Sequence, residues 1–140
     1  MYEMIEKMLF GYRDALRDRD SIQAKLDILR TEMLPKSPSL SGMPGASSQE
    51  DRMGNYMVKV EEQISKLQVA YEKSFSEMVR IEALISLVDD TELRQLLTYR
   101  YMNGYHWDII ADTMNYSQQR IYQLRLDALR AVEAVMDDGR

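Results

Sequence analysis

Two long stretches of this chain repeat apolar residues in alternating steps of three and four. Over residues 2–34 the repeating positions are Ile5, Met8, Tyr12, Ala15, Ile22, Leu26, Leu29 and Met33, with Arg19 standing where one more apolar residue is due. Over residues 55–88 they are Met57, Val60, Ile64, Leu67, Tyr71, Ser74, Met78, Ile81, Ile85 and Val88, with Ser74 the weak member. A 3.5-residue repeat draws a narrow apolar stripe along an α-helix, and charges such as Glu6, Lys7, Arg13, Asp14, Arg17 and Lys25 fall on the other faces. Each helix would reach about 50 Å at 1.5 Å per residue, and a lone helix that thin buries no core, so the stripes require pairing. An antiparallel coiled-coil hairpin within one chain satisfies that requirement. Pairing with a second copy satisfies it equally, so a homo-oligomer is expected, with a dimer favoured.

Pro35 and Pro38 end the first helix, since neither donates a backbone hydrogen bond and each biases its predecessor away from helical angles. The run PKSPSLSGMPGASSQEDRMG over residues 35–54 then reads as a flexible loop. Residues 1–88 are therefore expected to form the hairpin, and residues 89–140 a second domain.

That domain opens at Asp89-Asp90-Thr91, which interrupts the stripe with side-chain oxygens suited to capping a new helix. A helix carrying Leu93, Leu96, Leu97 and Tyr101 follows and stops at Asn103-Gly104. A short helix with Trp107, Ile110, Ala111 and Met114 on its inner face comes next. After a turn at Asn115-Tyr116, Ser117 can cap a final helix that directs Ile121, Leu124, Leu129 and Val132 inward. Three short helices in this order, with the small Ala111 where two axes approach, suit a tri-helical helix-turn-helix head. The candidate DNA-binding residues are Ser117, Gln118, Gln119, Arg120, Tyr122, Gln123 and Arg125. Glutamine offers two hydrogen bonds to an adenine edge, and arginine and a helix N-terminus both suit phosphate.

Composition narrows the function classes. The chain has no cysteine and one histidine, which excludes disulfides, thiolate zinc sites and multi-histidine metal centres. No apolar run approaches the roughly 18 residues of a membrane span, so a cytoplasmic protein without membrane partner, metal or cofactor is expected. Acids are scattered and no glycine-rich phosphate loop is present, so no enzyme is expected. The formal net charge of −5 counts against sequence-independent DNA binding by the whole chain, although Arg120, Arg125 and Arg130 make the last helix locally basic.

The run YRYMNGYHWDIIADTMNYSQQRIYQLRLDALRAV resembles the promoter-reading region 4 of sigma-70 factors at Gly104, Ile110, Ala111, Ser117, Ile121, Ala128 and Leu129. Ile109 stands where that family usually has glutamate. The whole chain resembles small region-4-like regulators of phages and mobile elements in Gram-positive bacteria, similar to the ArpU and RinA late-gene regulators, with a heptad-rich half ahead of the helix-turn-helix. The resemblance implies a sequence-specific transcription regulator whose partners are double-stranded DNA and RNA polymerase. Two alternatives stand beside it: a small terminase-like DNA-packaging subunit, and a coiled-coil interaction protein that binds RNA polymerase rather than DNA.

Overall fold

The computed structural model describes residues 2–33 and 47–138, which are helical with no strand among them. Five helices run in order: α1 (Glu3–Met33), α2 (Ser47–Ser86), α3 (Thr91–Leu97), α4 (Trp107–Met114) and α5 (Gln118–Asp138). No helix is long and apolar enough to cross a membrane among the described residues. One expectation needs correcting: α2 begins at Ser47, inside the segment read as loop, and Gly54 lies within it. No proline follows Pro44, and Gln49, Glu50, Arg52 and Met53 are good helix formers. The single glycine costs about 1 kcal/mol, which a long helix absorbs. Leu34, the expected end of the first helix, and residues 35–46, the rest of the expected loop, lie outside the described residues.

The chain divides into two compact units. In the unit Asp18–Lys73, Ile22, Leu26 and Val60 are buried, and the Tyr56 phenol donates to the Glu32 carboxylate at 3.0 Å. Met57, Ile64, Leu67 and Tyr71 are half-buried, whereas the residues between them, Val60 apart, are exposed. The heptad stripe is thus the covered side of α2 in this unit.

The other unit joins Met1–Arg17 to Ser74–Arg140. Its core is one cluster that takes Leu9 from α1, Ile81 and Ile85 from α2, Val88 from the connection, and Leu96, Leu97, Tyr101, Ile110, Ala111, Ile121, Leu124, Ala128, Leu129 and Val132 from the C-terminal segment. Of the inward residues read from the sequence, Ile81, Ile85, Val88, Leu96, Leu97, Tyr101, Ile110, Ala111, Ile121, Leu124, Leu129 and Val132 are in it, and Ile5, Met8, Tyr12, Leu93, Trp107 and Met114 pack against it half-buried. Leu9 does not belong to the α1 stripe and is nonetheless fully buried. It follows Met8 and widens the stripe into a broader face, as a helix needs when it packs on more than one neighbour.

Asp90 caps α3, its carboxylate accepting from the N–H groups of Glu92 and Leu93 at 2.9 and 3.1 Å. Beyond Leu97 the helix widens into a π-helical segment, Thr98–Met102, closed by the Asn103 N–H to the Thr98 carbonyl at 2.9 Å. Tyr101, within this segment, is fully buried. Gly104 then takes a φ of 74°. A Cβ there would sit 2.5 Å from the Arg13 guanidinium carbon. Gly104→Ala should accordingly cost about 1–2 kcal/mol, from the left-handed backbone alone, and should displace Arg13. A lowered urea midpoint at unchanged slope checks this.

Candidate nucleic-acid interface

The segment from α4 to α5 is fixed by backbone chemistry. Asn115 adopts the left-handed conformation, φ 59°, and its N–H reaches the carbonyls of Ala111 and Asp112. The Tyr116 N–H bonds the Ala111 carbonyl at 3.0 Å. Asparagine tolerates this geometry better than most residues, which explains a sharp turn without glycine. The Tyr116 hydroxyl is hydrogen-bonded to the Glu92 carboxylate, which ties the turn to α3 and raises the phenol's pKa above its ordinary value. Ser117 caps α5: its Oγ accepts from the Arg120 N–H at 3.1 Å. Ala111 is buried against α5, where a larger side chain would push the two helices apart.

Of the seven residues expected to bind DNA, Ser117, Gln118, Gln119, Arg120, Tyr122 and Gln123 are exposed and Arg125 is half-buried. Gln119 and Gln123 occupy the side of α5 opposite buried Ile121, Leu124 and Ala128. Arg120 lies over the Tyr116 ring at 5.8 Å and reaches the Gln123 Oε1 at 3.4 Å. Gln118 donates to the Asp108 carboxylate at the start of α4, so one of its amide hydrogens is already engaged. Arg125 pairs with the Glu6 carboxylate of α1 and lies 5.7 Å over the Tyr122 ring. That ion pair directs Arg125 away from any partner that approaches Gln119 and Gln123.

The beginning of α1 therefore lies along α5. Glu6 holds Arg125, and the Arg130 Nε donates to the Tyr2 hydroxyl at 3.4 Å. The first two turns of α5 expose Gln118, Gln119, Arg120, Tyr122 and Gln123, while Asp127, Arg130 and Glu133 are exposed further along. A cleft of about 300 Å³ lined by Glu6, Trp107, Gln118, Ile121, Tyr122 and Arg125 borders the first two turns. On α4, His106 caps the helix through Nδ1, which accepts from the Asp108 N–H at 3.4 Å, and the outer face presents Asp108, Ile109 and Asp112.

Arg13, Arg17 and Arg100, none of them among the residues expected to bind DNA, line one cleft with Phe10, Asp14 and Gly104. The Arg100 guanidinium is stacked on two rings, 4.8 Å from Trp107 and 5.4 Å from Phe10. Arg13 donates to the Met102 carbonyl at 3.2 Å, and Arg100 to the Tyr105 carbonyl at 3.1 Å. The only hint in the sequence was the spacing of Phe10, Arg13 and Arg17, which share one side of a helix. No protein-family model matches this chain, and neither a curated protein nor a solved structure matches it.

Proposed function

We propose that this chain is a transcription regulator that binds double-stranded DNA through the first two turns of α5, with α1 and α2 forming an antiparallel coiled-coil hairpin behind a region-4-like helix-turn-helix head. The observation that carries the reading is the exposure of Gln119, Arg120, Tyr122 and Gln123 together on a helix whose start is capped by Ser117 and set by the Asn115 turn. In such heads the N-terminal residues of the second helix enter the major groove, and the amide of glutamine matches the donor and acceptor pair of adenine. Ser117 and Arg120 contact phosphate, while Gln119 and Gln123 face bases. The protein acts in the cytoplasm, as a homo-oligomer with a dimer favoured, since two heads supply the affinity that an acidic chain lacks.

Selection from a random duplex library by the full-length protein tests this. Gln119→Ala with Gln123→Ala should erase the selected preference and leave the far-ultraviolet spectrum unchanged. An unaltered preference would remove these residues from the reading face. A second reading, contact with RNA polymerase, is favoured by exposed Ile109 flanked by Asp108 and Asp112 on α4, a composition suited to a protein partner. The DNA-packaging alternative requires a ring, and a mass of monomer or dimer in solution excludes it.

A further inference from the structure

We infer that Arg13, Arg17 and Arg100 form a second anion site, which receives a phosphate of the duplex backbone next to the α5 interface. The inference rests on the DNA-binding reading above. The three guanidiniums, with Phe10, Asp14 and Gly104, line a cleft of about 330 Å³. Asp14 pairs with Arg17, so the cleft holds three positive charges against one negative. A guanidinium has five N–H donors, and the hydrogen bonds of Arg13 and Arg100 to backbone carbonyls each use one. The Arg100 Nε is buried and has no hydrogen-bond partner, so anion binding in the cleft falls to the terminal nitrogens of the guanidiniums. Stacking between Phe10 and Trp107 holds the Arg100 plane in place, so little freedom is lost when its edge binds an anion.

Gly104 completes the arrangement. With no side chain it lets the Arg13 guanidinium lie against the backbone, where any Cβ would collide with it. Position identifies the occupant. Trp107, on which Arg100 stacks, also lines the cleft beside Gln118 and Tyr122. Glu6 and Phe10, one turn apart on α1, line the two clefts in the same order. A duplex seated on Gln119 and Gln123 has phosphates on both sides of its groove, and arginine forks match phosphate oxygens in pairs.

The test uses the full-length chain and measures affinity for one duplex over a range of salt. Each phosphate contact adds about 0.9 to the slope of log affinity against log salt. Arg13→Gln with Arg17→Gln should lower that slope by roughly one to two and leave base preference intact, whereas the control Arg80→Gln should not change it. An unchanged slope in the double variant would overturn the site. If the wild-type protein retains no duplex at low salt, the DNA reading itself fails, and the emission of Trp107, the one tryptophan, decides about the cleft. Saturable change on addition of inorganic phosphate at constant ionic strength, lost in the double variant, keeps the anion site with a free phosphate compound as occupant. No change there ends the proposal.

Discussion

A fragment of residues 89–140 should fail to fold, with weak helical signal and no cooperative unfolding transition. Four members of the core that surrounds α3, α4 and α5 lie before it in the sequence: Leu9, Ile81, Ile85 and Val88, all at most 3% exposed. Burying one such side chain contributes about 1.5–3 kcal/mol, so their joint removal withdraws roughly 6–12 kcal/mol as an upper bound. Total domain stability is typically about 5–15 kcal/mol. Circular dichroism and urea denaturation of the fragment beside the full-length chain provide the measurement. A fragment with full helical content and a sharp transition would mean that α3 to α5 close a core by themselves. Loss of DNA binding by an unfolded fragment would say nothing about which residues bind, so binding measurements belong to the full chain.

Tyr101 should show opposite responses to two substitutions. Its ring is fully buried and meets Phe10 edge to face with centroids 5.0 Å apart, so Tyr101→Ala should cost about 3–5 kcal/mol. Its hydroxyl is buried without a hydrogen-bond partner, so Tyr101→Phe should be neutral or should gain up to about 1 kcal/mol. The phenol's pKa is pushed well above its ordinary value, first by burial and then by the Glu6 charge, with Arg125 and Arg100 opposing. The sign of the pH dependence follows. A raised folded-state pKa leaves the stability intact below about pH 10 and erodes it above, because only the unfolded chain releases the proton readily. Tyr101→Phe should therefore flatten the alkaline decline, by up to about 1.4 kcal/mol per pH unit relative to the wild type. A parallel decline in both proteins would show that this hydroxyl reaches water.

The helices and most of the inward residues were legible because apolar periodicity records burial directly. Every member of the α2 stripe from Met57 to Val88 is buried or half-buried, Ser74 included. The caps were legible for the same local reason: Asp90 and Ser117 satisfy backbone donors two and three residues away. Three features were not. The early start of α2 at Ser47 was hidden by small residues that signal a turn without forbidding a helix. Leu9 needed knowledge of which neighbours α1 meets, which no single-helix pattern contains. The pairing of Arg125 with Glu6 joins residues far apart in the chain, so the local basic character of α5 overstated what that arginine offers to a phosphate. For Leu9 and for Arg125 the deciding contact was long-range.

The placement of Leu9 in the core has a consequence for synthesis on the ribosome. Its partners in the same cluster include Leu129, about 120 residues later in the chain. At roughly 5–20 residues per second, α1 waits about 6–24 s after its own emergence before α5 has been made. During that interval Leu9 and the nearby Phe10 have no finished core to enter, and the anchoring of Arg125 by Glu6 does not exist. The packing of α5 against the start of α1 is thus absent throughout most of synthesis and forms only once residue 125 and its neighbours have left the ribosome.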